Sequence, residues 1–298
     1  MKRQRHIIAI VVSIVFIFTR VLSQIAPPAA DIFLMDMKMR GGQIELGKPI
    51  QITEWKGYDN QPSFLPDGKS LLYTSIRDDG QADIYRCNIA DNTITRITQT
   101  SESEFSPTIM PDGKHFSVVR VELDSTQRLW KFPIIGGEPT LVLENVKPVG
   151  YHTWADANIF ALFILGNPPT LQIADLRTGK AEIVAENIGR SLHKIPKQEA
   201  IGFVHKVGEN EWLIKRLDLK THAITTLAKP LSGSEYYTWT PHGLLLMGQD
   251  SQLFQCDPKK NGAWQEIADF ASTGLKGITR LAVSPKGEKL AVVAISAR

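Results

Sequence analysis

Residues 61–89 read QPSFLPDGKSLLYTSIRDDGQADIYRCNI, and the order of signals in this stretch decides the fold. Pro66-Asp67-Gly68 is a tight turn, because Pro fixes its own φ and Gly accepts a positive one. SLLYTSI after it is an apolar, β-branched run of strand length. RDDGQA is a polar loop, DIYRCNI a third strand, and ITRIT beyond it a fourth. The same grammar returns at residues 105–134, FSPTIMPDGKHFSVVRVELDSTQRLWKFPI, and in weaker form around WADAN (154–158), IPKQ (195–198), TPHG (240–243) and SPKG (284–287). The turn positions 66, 111, 155, 196, 241 and 285 lie 45, 44, 41, 45 and 44 residues apart. Four antiparallel strands per period of this length are the mark of a propeller blade.

The ends set the blade count. Five units are complete, while the sixth starts near Thr279 and runs out after two strands at Ser296. At the other end DIFLMDM (31–37) matches the third strand of a unit and PIQITEW (49–55) the fourth. The expected fold is therefore all-β: a six-bladed propeller of four-stranded antiparallel blades, closed by a composite blade from both termini. Such a closure removes the open sheet edge.

The composition is that of a globular chain: 298 residues, 43% hydrophobic and 22% charged, which excludes a disordered tail protein. The formal charge of +3 suggests an anionic partner until its source is traced. Lys2, Arg3 and Arg5 precede an apolar run over residues 7–19, the layout of a signal peptide covering residues 1–23. That run is too short to span a bilayer. Four cations and no acid leave with the leader, which takes the formal charge to −1. No basic, aromatic-interleaved run remains, so nucleic acid is not an expected partner. The mature chain, residues 24–298, is expected to be a monomeric propeller in the periplasm or secreted, without a stable membrane span.

QPSFLPDGKSLLYTS…ADIYRCNI and FSPTIMPDGKHFSVV…QRLWKFPI resemble the WD40-like repeats of the TolB family. The resemblance extends over residues 25–298, with two repeats close and four degenerate. It implies a six-bladed propeller in a bacterial envelope compartment, here without the additional N-terminal α/β domain of that family.

In propellers the connectors into each first strand and the loops between second and third strands share one face, and the Pro-Asp-Gly turns occupy the other. Trp55, Tyr58, Asp59, Glu104, Tyr151, His152, Arg190, Glu235, Tyr236 and Arg280 are therefore the candidate ligand- or partner-binding residues. Aromatic and Arg anchors of this kind suit protein recognition. Three residues before each turn position stand Ser63, Thr108, His152, His193, Thr238 and Ala282. His152 and His193 on neighbouring blades are the start of a metal site, but no carboxylate shares their register and the bland alternative is a ring of polar groups along the channel. No metal or other cofactor is expected. Cys87 and Cys256 fall at equivalent third-strand positions, with Phe132, Ala174 and Leu217 in other blades. Equivalent positions two blades apart exceed the roughly 7 Å Cα limit for a disulfide, so two free, buried thiols are expected.

No G-x-S-x-G elbow or other catalytic motif is present, and no catalytic residue is named. The expected function is a non-catalytic binding module or scaffold of the cell envelope that recognises a protein or a cell-wall component through the loop face. The alternatives are a propeller enzyme (a lactonase, glycan lyase or hydrolase) with an axial site, or a carbohydrate-binding protein.

Overall fold

The computed structural model describes residues 27–260 and 262–295, so the leader read at residues 1–23 lies outside the described residues. Six antiparallel sheets follow the repeat. Blades I to V begin with inner strands Tyr58–Phe64, Ser103–Ile109, Val149–Trp154, Ile188–Lys194 and Tyr237–Trp239, each followed outward by three more strands. Blade VI joins Leu281–Val283 and Lys289–Ala294 from the C-terminal side to Asp31–Arg40 and Ile50–Gln51 from the N-terminal side. The six-bladed ring and its composite blade are as the repeat predicts.

The turns work as their residues require. Asp67 and Asp112 each accept the main-chain N–H two residues on, at 2.9 and 2.8 Å, and Gly68 and Gly113 follow at positive φ. An Asx turn and a left-handed glycine together reverse the chain between the first and second strands.

The core is divided among the blade interfaces. Six apolar clusters form, and each spans two consecutive blades. Leu71 packs between blades VI and I while its neighbour Leu72 packs between I and II. Side chains alternate along a strand, so a strand sandwiched between two neighbours buries both faces and reads as a continuous apolar run. The N-terminal strand shows the same division: Ile32 and Leu34 face blade I, and Phe33 and Met35 face blade V. Cys87 and Cys256 are free and buried in two of these interfaces, and burial pushes both thiols up to about 11.

One feature departs from the repeat. After pairing with Lys289–Ala294, the strand Asp31–Arg40 continues and folds back on Gln43–Leu46. Gly41 and Gly42 supply the two positive φ values of the tip. Ile44 is buried against blade V, and its N–H donates to Gln255 Oε1 at 3.1 Å. Blade VI consequently carries a fifth strand.

On the loop face, blade II encloses a charged cluster. Glu104 is fully buried; it accepts the Thr100 hydroxyl at 2.5 Å and lies 3.3 Å from Arg120 Nε. Arg120 also pairs with Glu102 and lies over the Trp130 ring at 4.7 Å. Burial outweighs these contacts and pushes the Glu104 carboxyl from 4.5 to about 7.

Two outcomes follow from this packing. Deleting residues 27–55 strips Lys289–Ala294 of its partner and removes seven buried apolar side chains worth about 1.5–3 kcal/mol each, a sum that matches or exceeds a domain's whole stability of roughly 5–15 kcal/mol. The truncated chain is expected to aggregate or unfold; a monomer that still melts cooperatively would rule out the closure. The second concerns Glu104, which holds its proton more tightly folded than unfolded. Its stabilising contribution is therefore complete below about pH 4.5 and lost as pH rises through about 7. Glu104→Gln should match the wild type in melting temperature near pH 4.5 and melt at a higher temperature than the wild type above pH 7. Parallel melting curves at both pH values would remove the buried carboxyl from the account.

Candidate functional site

The inner strands surround an axial funnel with a cavity of about 310 Å³. Ser63, Thr108, His152, His193, Thr238 and Ala282 all line it, one from each blade, so the register read from the repeat is a ring in space. Beneath the ring, the Trp154 indole N–H donates to Ser117 Oγ at 2.8 Å, and Ser117 Oγ lies 2.6 Å from His152 Nε2. Burial pushes His152 down to about 3 and His193 to about 4, which keeps both imidazoles neutral near pH 7. His193 packs edge-on against Tyr237 at 4.8 Å. Among the described residues no group of three or more His, Cys, Asp or Glu side chains is placed to hold a metal ion.

Towards the loop face the inner strands lose regularity. The pairing shifts at Asn60–Ser63, Phe105–Thr108, Val149–Tyr151 and Ile188–Leu192 in blades I to IV. In the first two, Gln61 and Ser106 adopt positive φ, 59° and 55°, each just before a proline. Such bulges re-aim side chains and recur near functional sites. They are also tied to one another, since Gln61 Oε1 accepts the Ser106 N–H at 2.8 Å across blades I and II.

The funnel mouth is built from five blades. Arg280 of blade VI donates to the Tyr151 hydroxyl of blade III at 2.9 Å, a bond across the axis because these blades stand opposite in the ring. It also reaches Asn60 Oδ1 of blade I at 3.4 Å. Its guanidinium carbon lies 4.4 Å from the Tyr236 ring centre and 5.5 Å from that of Tyr151. Tyr236 bonds in turn to Arg190, whose side chain is exposed and whose pKa this bond raises. Tyr58 borders the same group, and burial pushes its phenol up to about 12.

Tyr151, His152, Arg190, Tyr236 and Arg280 thus meet along one funnel, with Tyr58 at its edge. The remaining candidates stand apart. Asp59 is fully buried and accepts the Ser75 hydroxyl at 2.5 Å, and Glu104 belongs to the blade II cluster. Glu235 accepts the Arg190 main-chain N–H at 3.0 Å and pairs with Lys206 at 3.1 Å. Trp55 stacks on Arg77 at 4.5 Å, with Tyr85 at the same distance from the guanidinium. Gln61, Ser106 and Ser117 shape the funnel and were not picked out by the repeat. The signal that could have found the first two was proline within an inner strand, at 62 and 107.

No helix among the described residues is long and apolar enough to cross a membrane. Residues 21–145 match the family described as the TolB beta propeller domain. The Tol-Pal system protein TolB of Francisella tularensis subsp. holarctica is 42% identical over 57 residues, 19% of this chain and 13% of that protein. The chain matches only 13–29% of the length of its curated relatives. A putative TolB from Agrobacterium tumefaciens superposes with a TM-score of 0.72 at 17% identity, over 90% of this chain and 99% of that one. An oligogalacturonate lyase in complex with manganese gives a TM-score of 0.51 at 14% identity, over 92% and 99%. Identities this low speak for the fold alone. Repeat and ring agree on a six-bladed β-propeller, and over residues 21–145 its sequence is similar to the TolB beta propeller domain.

Proposed function

We propose that this propeller is a non-catalytic binding module of the cell envelope that recognises an envelope protein, or a cell-wall component, through the mouth of its axial funnel. One observation carries the reading: a guanidinium held between two tyrosine rings over a cavity of about 310 Å³. Arg and Tyr anchors in partly desolvated pockets are the groups that dominate binding energy at interfaces. The Tol-Pal name of the Francisella relative and the leader-like residues 1–23 support an envelope location, periplasmic or secreted. A monomer is the expected state, since the blade interfaces are all satisfied within the ring.

The lyase likeness supports a second reading, an enzyme with an axial site. His152 and His193 would be its metal-facing groups, although the Nε2 of His152 is already engaged by Ser117. A stoichiometric bound metal that disappears in His152→Ala and His193→Ala would favour this reading over the first.

The binding reading is tested by placing a photo-crosslinking residue at 236 or 190, and as controls at 69 or 114 on the opposite turns, in the native envelope. A discrete crosslinked product is expected from the funnel positions and absent from the turns. Tyr236→Ala and Arg280→Ala should weaken capture at least about tenfold. Equal crosslinking from both faces would sink the proposal.

A further inference from the structure

We infer that the funnel mouth is a receptor for an organic carboxylate, centred on Arg280 and sized for a chain end of about two peptide residues. This deepens the binding reading above and rests on it.

The charge distribution around the axis points to an anion. Three carboxylates near the mouth have partners other than Arg280: Asp59 accepts from Ser75, Glu104 lies beside Arg120, and Glu235 pairs with Lys206. Among the described residues Arg280 forms no ion pair, and its two hydrogen bonds go to neutral oxygens, those of Tyr151 and Asn60. A guanidinium has five N–H donors, so its remaining edge is open to an oxyanion while tyrosine rings cover its faces.

The groups beside it are donors as well. Tyr151 accepts from Arg280 through its oxygen, which leaves its own proton to give. Tyr236 brings Arg190 to the same rim. Deeper in, Trp154 must donate to Ser117, because an indole N–H cannot accept. We assign the Ser117 proton to His152 Nε2 at 2.6 Å over the Thr108 carbonyl at 3.3 Å, which puts the imidazole proton on Nδ1. That nitrogen has no partner among the described residues.

The site suits a carboxylate better than a phosphate. Among the described residues the funnel lining includes two cations, Arg190 and Arg280, and Glu235 lies 3.8 Å from the first, which matches a single negative charge. A planar carboxylate fits the fork of one guanidinium. Behind the mouth the wall includes Pro62, Pro107, Leu192 and Leu281, a surface for an aliphatic stem.

The test is calorimetric titration of the full chain with N-acetyl-alanyl-alanine, its C-terminal amide and inorganic phosphate. The acid is expected to bind at least about tenfold more tightly than the amide, the ratio that one charge-assisted hydrogen bond supplies. Arg280→Gln should abolish that preference, and Arg280→Lys should retain part of it. Tyr151→Phe, which preserves the ring, should reduce affinity for the acid about threefold or more. Equal binding of acid and amide, binding of neither, a preference surviving Arg280→Gln, or binding of phosphate without the acid would each overturn the inference. Crosslinking confined to the mouth without an acid preference would overturn this inference alone, whereas an acid preference without crosslinking at the mouth would overturn the envelope-partner reading alone.

Discussion

The geometry of the funnel depends on a main-chain ladder far from it in sequence: Asp31–Asp36 paired residue for residue with Ala294–Lys289. Each blade contributes one position to the axial ring, so the ring has a defined diameter only while all six interfaces are closed. The other five interfaces join segments adjacent in the chain. The sixth joins its two ends, and it alone must overcome the closure entropy of nearly the whole polypeptide. Burial of Ile32 and Leu34 on one side and Phe33 and Met35 on the other supplies the compensating free energy. The hairpin that extends this strand adds Met37 and Ile44 to the interface with blade V, so the closing strand is also the longest in the molecule.

A closed ring of regular strands would present a smooth channel, and the funnel mouth is not smooth. The bulges in blades I to IV turn successive inner strands out of register as they approach the loop face. Blades V and VI instead shorten their inner strands to three residues, and Tyr236 and Arg280 stand immediately upstream of them. Both devices have one effect. They release side chains from the alternation that would bury them between blades and let them gather over the axis. The left-handed conformations of Gln61 and Ser106 cost on the order of 1–3 kcal/mol each and persist because Gln61 Oε1 ties the two bulges together.

The fold was legible because its signals are local and repeated. A Pro-Asp-Gly turn needs no tertiary context to be read, and six approximate copies gave both the period and the missing half-blade. Cys87 and Cys256 illustrate how far the register carries: their equivalence put both in blade interfaces, where they lie. The added hairpin escaped although Gly41-Gly42 between alternating residues is a two-residue turn signal, because the repeat supplied a competing explanation of that segment. The site was half legible. Period and register located the face and the ring, but which loop-face side chains turn inward is set by bulges and by competition for partners. Asp59 and Glu104 have the same sequence credentials as Arg280, yet Ser75 and Arg120 draw them into their blades.

That competition explains why net charge was a poor guide to the partner. The first 23 residues carry the chain's apparent basicity, and the remainder is close to neutral. Neutrality over the whole surface still permits a strongly signed site, because an ion pair or a buried, hydrogen-bonded carboxyl has little field beyond its own neighbourhood. On the loop face several acids are consumed in this way. Glu102 and Glu104 share Arg120, Glu122 takes Arg128, Asp83 takes Arg96, and Glu235 takes Lys206. Arg280 stands just before the inner strand of blade VI, its carbonyl accepting the Val293 N–H at 2.8 Å, and its side chain reaches across the funnel mouth. Only neutral tyrosine and asparagine oxygens from blades III and I can reach it across the opening. A cation in that position keeps its charge available to whatever enters the funnel, and the closed ring is what holds it there.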